Sequence, residues 1–222
     1  MKSVYGTIRL KFHLKNKYGI NINHKKIRRY KNILNLSTIT RKKRPLYLRE
    51  QEKRTQNYMA PNLIDCNFKS EIALTKLSTD VSYINCTDGR LYLSAVKDLF
   101  NNKIIAHFTS DKNDANLIIK TFDNILPNKG IVHSDQGTVY YSQDYIDKVE
   151  ELGYTRSMSN KGHCWENSPI ENWFSQLKEE HLRIIGLKTK KETKKEIKKY
   201  IEWYNTQRIQ KCLGYLTPEQ YT

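Results

Sequence analysis

The chain has 222 residues, 38% of them hydrophobic and 28% charged, with a formal net charge of +16. That length holds one sizeable core and a smaller module, and the modest apolar share points to a soluble protein with much contact surface. No apolar run approaches the roughly 18 residues of a membrane span, and Met1-Lys2-Ser3 leads into no apolar signal core. The expected location is therefore the cytoplasm, with no membrane partner. Cys66, Cys86, Cys164 and Cys212 are scattered without a CxxC pair, so neither a zinc ribbon nor a disulfide framework is indicated.

The charge is segregated. Residues 1–60 hold 17 Lys/Arg against only Glu50 and Glu52, residues 61–180 are net acidic, and residues 181–222 are basic again. A basic arm, an acidic middle and a basic tail suit a polyanion held at both ends of a cation-binding core.

In chain order, Thr7 to Lys17 reads as a short helix with Leu10 and Leu14 four apart, ended by Tyr18-Gly19. Asn23 can cap a second helix, His24 to Leu34, in which Ile27, Tyr30, Ile33 and Leu34 follow helical spacing. Its other face carries Lys25, Lys26, Arg28, Arg29 and Lys31. Two short helices with a basic outer face resemble a helix-turn-helix, the alternative being a merely solvated basic face. Residues 1–44 form this module. Residues 45–74 form a linker, entered by the charge run Arg41-Lys42-Lys43-Arg44 and broken at Pro45 and Pro61.

The core, residues 75–185, opens with strands Lys76–Cys86, Arg90–Asp98 and Ile104–Phe108, separated by the turns Thr87-Asp88-Gly89 and Asn101-Asn102. A helix from Asp114 to Leu126 carries Ala115, Ile118, Ile119 and Phe122 on one side. Gly130–Ser134 is a fourth strand, Gln143–Leu152 a helix, and Thr155–Ser159 a fifth strand. The loop Asn160–Asn167 leads into a helix whose buried stripe is Ile170, Trp173, Phe174 and Leu177. Asn167 or Ser168 can cap it, and Pro169 suits its first turn. Residues 186–222 are a basic helix, Thr189–Asn205, and a tail. Three antiparallel strands followed by alternating helices and strands give a mixed α/β fold of ribonuclease-H-like order, with the first strand central.

Three acids stand out on this frame. Asp80 lies inside a strand, Asp135 just past the end of another, and Glu171 in the first turn of an amphipathic helix. Two metal ions about 4 Å apart can clamp the attacking and leaving oxygens of a phosphodiester, and magnesium asks for few, hard oxygen ligands. Asp80 would bridge both ions, with Asp135 and Glu171 each holding one. Lys178, seven residues beyond Glu171, falls within about 20° of the same azimuth and is placed to hold a phosphate of the reacting DNA. His133 reads as a strand-end hydrogen-bonding residue.

Several stretches together identify the chain as resembling the DDE transposases of bacterial insertion sequences, specifically insertion sequence family three, with a retroviral-integrase-like core. These are Thr79-Asp80-Val81-Ser82-Tyr83-Ile84, His133-Ser134-Asp135-Gln136-Gly137, and Ser157 through Gly162. The run Cys164 through Glu171, then Leu177-Lys178 and the tail Tyr204-Asn205, Arg208, Leu213-Gly214, Pro218, completes them. The resemblance implies Asp80, Asp135 and Glu171 as the catalytic, metal-binding triad and Lys178 as its companion base. It implies two magnesium ions, with manganese able to substitute, cleavage at the element's ends, and strand transfer by a freed 3′-hydroxyl. It further implies element-end and target DNA, a homo-oligomer on DNA and an upstream-frame protein as partners, and association with the nucleoid when bound. The DNA contacts expected are Lys178 with Lys25, Lys26, Arg28, Arg29, Arg41, Lys42, Lys43 and Arg44. Departures from the family pattern are Leu77, where Trp is common, and Gln210, where His is common. From where the chain starts, a second-frame or truncated product is the expectation. The rival readings are a ribonuclease-H-like nuclease without strand transfer, and an inactive remnant that only occupies DNA.

Overall fold

A computed structural model describes residues 6–36 and 58–221, in two compact units that divide at Glu52/Lys53. The first unit is a helical pair. Helix α1 spans Thr7–Tyr18 and stops at Gly19, whose φ of 69° is the left-handed conformation that turns the next N–H, that of Ile20, back to the Leu14 carbonyl at 3.2 Å. Helix α2 spans His24–Ile33, and the Asn23 side chain accepts from the Lys25 N–H at 2.9 Å, as the sequence predicts. Of its spaced apolar residues only Ile27 is buried, while Tyr30, Ile33 and Leu34 remain exposed.

In the second unit, strands β1 (Lys76–Cys86), β2 (Gly89–Asp98), β3 (Ile104–Ser110), β4 (Gly130–Ser134) and β5 (Tyr154–Met158) form one sheet of order β3-β2-β1-β4-β5. The first three are antiparallel neighbours, and β4 and β5 run parallel to β1. The central position of β1 is as expected.

Both faces of the sheet are covered, so side chains alternate between two cores rather than between core and water. Helices α3 (Ala115–Phe122) and α4 (Gln143–Glu151) close one face over Leu77, Val96, Ala106 and Val132. Helix α5 (Ser168–Gln176) and the long α6 (Lys190–Thr206) close the other. There Trp173, Tyr200 and Tyr204 meet Ile84, Leu91, Leu93 and Ala95. The predicted stripe Ile170, Trp173, Phe174, Leu177 is buried throughout. Beyond Gln176, α5 runs on through a π-helical stretch, Leu177–Leu182, and a last turn, Arg183–Ile185. A regular 3.6-residue projection of this helix therefore holds only as far as Leu177.

Two boundaries differ from the sequence expectation for local reasons. Helix α3 ends at Phe122 instead of Leu126, because the chain folds back there and Ile125 N–H bonds the Phe122 carbonyl at 3.0 Å, which buries Ile125. Strand β5 starts at Tyr154, which is the partner of Gly130 in the parallel ladder.

Gly130 is needed where β4 starts. A β-carbon there would lie 2.5 Å from the Thr75 carbonyl oxygen and 2.9 Å from its Cα, and both are backbone atoms that cannot swing aside. Gly130→Ala should therefore destabilise the core by about 1–3 kcal/mol, the usual cost of overpacking. Urea unfolding should show the midpoint falling with an unchanged m-value.

Candidate active site

The site forms where two parallel strands part. The ladder between β1 and β4 runs from Lys76↔Ile131 to Thr79↔Ser134 and stops there. One residue further in the same register are Asp80 and Asp135. Asp80 sits within β1, which runs on to Cys86, and Asp135 lies just past the end of β4, so the two acids stand side by side where the ladder between the strands stops. Asp135 also caps its own turn, since its Oδ1 accepts from the Gly137 N–H at 2.8 Å. A β-carbon on residue 137 would come within 2.9 Å of that oxygen, so glycine lets the carboxylate fold over the backbone. Beneath the acids lies the buried Tyr140, its hydroxyl 3.4 Å from Thr79 Oγ1.

The third acid arrives on α5. Ser78, Asp80 and Ser82 share the β1 face that looks at this helix. The flanking two are tied to it: Ser78 Oγ donates to Asn167 Oδ1 at 2.7 Å, and Lys178 Nζ donates to Ser82 Oγ at 2.6 Å. Asn167 Nδ2 also donates to the Thr79 carbonyl at 3.1 Å. Glu171 lies four residues after Asn167 and seven before Lys178, on the same side of the helix. The two tethers therefore straddle the Asp80–Glu171 pair. Lys178 additionally lies over the Tyr83 ring, 5.4 Å from its centroid, and Arg90 shares that ring at 4.7 Å.

Electrostatically the three acids share one environment with little compensation. Burial, then Asp135, then Glu171 push the Asp80 carboxyl up to about 7, against the opposing pull of the Val81 N–H and Lys178. Burial raises Asp135 against the Gly137 N–H, and burial and Asp135 raise Glu171. Burial lowers Lys178 while Asp80 raises it. Among the described residues no three His, Cys, Asp or Glu side chains close into a ready-made metal cage. Asp80 nonetheless senses both of the other acids, and Glu171 senses Asp135.

Sequence spacing missed the role of Asn167. It occupies the N-cap position of α5 without a capping bond, because its amide is spent on β1, 88 and 89 residues earlier in the chain. Nothing local separates a capping Asn from one that grips a distant strand. The loop ahead of it has its own clasp: the buried Glu166 accepts from the Asn160 N–H at 2.6 Å and contacts Asn160 Nδ2 and His163 Nδ1. These bonds hold the Glu166 carboxyl down at about 2. His133 is the expected hydrogen-bonding residue, with Nδ1 2.8 Å from Ser157 Oγ, and burial lowers its pKa. Of the basic candidates, Lys25, Lys26, Arg28 and Arg29 are exposed on α2, whereas Arg41, Lys42, Lys43 and Arg44 lie outside the described residues.

Three mutually coupled acids where two parallel strands part define a phosphoryl-transfer core of the integrase class. Integrase core domain models match residues 71–164 and 171–222, and an HTH-like domain model matches residues 1–44. The putative transposase InsK for insertion sequence element IS150 of Escherichia coli (strain K12) is 34% identical over 208 residues, covering 91% of this chain and 72% of that protein. Transposase InsF for insertion sequence IS3A of the same organism is 30% identical over 73% of this chain and 59% of its own length. Among solved structures, the HTLV-2 integrase catalytic core domain in complex with magnesium (dimeric form) superposes with a TM-score of 0.53 at 14% identity, over 68% of this chain and 97% of that one. The chain belongs to the insertion-sequence transposases of IS3 type, DDE polynucleotidyl transferases with an integrase core that act on DNA in transposition.

The raised Asp80 has a consequence for stability. The folded chain holds a proton there up to about pH 7, whereas an unfolded Asp releases it near 3.8. Asp80 therefore costs stability increasingly as pH rises between those values, and the cost is complete above them. In chelator at pH 8, Asp80→Asn should melt above the wild type, and the gap should close by pH 4. Asn167→Ala should do the opposite at every pH, losing about 1–3 kcal/mol because Ser78 and the Thr79 carbonyl are left buried without a partner.

Proposed function

We propose that Asp80, Asp135 and Glu171 are the catalytic carboxylates of this transposase and that together they hold two divalent cations, magnesium by preference with manganese able to substitute. What carries this reading is the mutual placement of the three acids: each is burdened by burial, Asp80 by both of the others, and a single lysine stands near them. Hard carboxylate oxygens with no histidine or thiolate among them fit magnesium, which keeps waters and takes phosphate oxygens in place of a full protein cage. Such ions, when bound, activate the attacking oxygen and neutralise the leaving one across a single phosphodiester.

The chain's own residues have distinct parts in this scheme. Asp80, which senses both of the others, would be the shared ligand, with Asp135 and Glu171 each able to hold one ion. Asn167 and Ser78 hold α5 to β1, which fixes the Asp80–Glu171 span before DNA arrives. Lys178, parked on Ser82 and Tyr83, is the cation that meets a phosphate of the bound strand. Cleavage at an element end leaves a 3′-hydroxyl, and that hydroxyl then attacks target DNA, exchanging one phosphodiester for another with no nucleotide cofactor. Two element ends served by chains with one site each require a homo-oligomer on DNA.

In the division proposed here, residues 1–44 are a DNA-binding module presenting Lys25, Lys26, Arg28 and Arg29 to phosphates, and residues 45–74 a basic linker entered by Arg41, Lys42, Lys43 and Arg44. Residues 75–185 are the catalytic core. Residues 186–222 are a basic helix and tail, of which α6 packs on the core's sheet.

Asp80→Asn, Asp135→Asn and Glu171→Gln should each lower both cleavage and joining by at least about 10²-fold, more than loss of an outer-sphere partner costs. Magnesium should raise the melting temperature of the wild type at pH 8 and fail to do so in Asp80→Asn. Magnesium-dependent nicking that persists in Asp135→Asn would sink the assignment. With pre-cut ends, hydrolysis without joined product would favour the nuclease reading.

A further inference from the structure

Behind the active-site helix lies a second polar pocket, of about 430 Å³, that the chemistry above does not use. Its lining includes Lys97, Asn172, Arg208, Gln210 and Lys211, and contains no aspartate or glutamate. Lys97 stands opposite Ser78 in the β1–β2 register and points to the same sheet face, where its ammonium donates to the Pro169 carbonyl at 3.1 Å. It is 7% exposed, and among the described residues it has no ion pair. Burial pushes this ammonium down to about 8; the Cys212 thiol in the pocket wall opposes that shift, and the nearby Arg208 adds to it. A buried ammonium without an anionic partner is costly to keep.

The other donors point to the same missing ligand. Arg208 is matched by Glu180 through bonds of 2.6 and 2.9 Å, so it orders the wall without adding net charge. Lys211 is exposed at the mouth and unmatched in the described contacts. Gln210 is 8% exposed, and its Nε2, near the Tyr204 hydroxyl, makes no hydrogen bond of acceptable geometry. Two uncompensated cations, a spare buried amide donor and no acid make an anion pocket.

Its position says which anion. Pro169 and Asn172 line this pocket and also a shallow hollow formed with Ser168, Glu171 and Ser175. A continuous surface thus leads from Glu171 around α5 to Lys97. Crossing one helix diameter takes about 10 Å, the rise of roughly three nucleotides. We propose that this pocket grips a backbone phosphate of the DNA strand engaged at the Asp80 site, about three nucleotides from the reacting bond. The assignment of the strand rests on the catalytic reading above. The pocket's anion chemistry does not.

The test is binding of the full chain to a labelled duplex bearing its element's terminal repeat, read by fluorescence anisotropy in chelator. That measurement needs none of the three acids, so it separates failure of the pocket from failure of the triad. Lys97→Met and the exposed, fold-neutral Lys211→Gln should each weaken binding about tenfold and lower the slope of log K against log salt by about 1. Single neutral methylphosphonates walked along the strand should reveal one position whose loss equals that of Lys97→Met and is not additive with it. Unchanged affinity and slope in Lys211→Gln, or no position coupled to Lys97, overturns the proposal. Alkylation of Cys212, which lines the pocket, separates the two sources of phosphate. The duplex should slow it, and protection by inorganic phosphate but not by the duplex would assign the pocket to a free anion instead.

Discussion

One buried amide decides where Glu171 can be. Asn167 gives its oxygen to Ser78 and its nitrogen to the Thr79 carbonyl, and it does so from the residue at which α5 begins. The carbonyl it takes belongs to the residue just before Asp80, in a strand buried on both sides. A helix docked only by its apolar stripe could slide or roll by a fraction of a turn at little cost, because Trp173 and its neighbours make non-directional contacts. Two directional bonds to one edge of β1 remove that freedom. The Lys178–Ser82 bond repeats the constraint about two turns past the acid, and Lys97 holds the Pro169 carbonyl from the β2 side. The active-site helix is thus held from two strands, with its acid between the fixings.

That rigidity lets the site sustain an unfavourable charge distribution. Three carboxylates gathered under partial burial raise one another's proton affinity, and a relaxed structure would spread them into solvent. Here the core does not allow it. Asp80 is anchored by pairing with Ala95 in the sheet, Asp135 by its own turn against Gly137, and Glu171 by the helix fixings. On the proposed catalytic reading, what destabilises the metal-free chain is what a bound divalent cation would relieve.

Much of this was legible in the sequence, and the part that was not has a common cause. Strands β1 and β4 appear with the bounds their periodicity predicts, and the buried stripe of α5 follows from spacing alone. Asp80 and Asp135 could be picked out because each breaks an otherwise consistent pattern, an acid in a strand and an acid just past one. Lys178 was singled out through its azimuth relative to Glu171, and although it lies inside the π-helical stretch that begins at Leu177, its Nζ still reaches Ser82 on β1. Asn167 and Lys97 escaped because their partners are not local. An asparagine before Ser-Pro looks like a cap whether or not its side chain reaches across to a strand 88 residues away. A lysine at the end of an apolar strand looks like its solvated terminus, not a buried ammonium. Exposure of Tyr30, Ile33 and Leu34 was equally invisible, since periodicity reports which residues share a face and not whether anything covers it.

The two kinds of charge in the core unit follow from this division of labour. The acids sit where β1 and β4 part, and cations flank them: Lys178 and Arg90 around Tyr83 on one side, Lys97 and Lys211 beyond Pro169 on the other. A polyanion laid over the acids alone would be repelled, while one laid over the flanks alone would have no reason to bring a particular phosphodiester to the centre. On the catalytic reading proposed above, a strand with cations on both flanks would gain its attraction on either side of the acids, and divalent ions would offset the repulsion of the acids themselves. The three acids are central and bordered by cations, so this local negative centre is compatible with the chain's +16 charge.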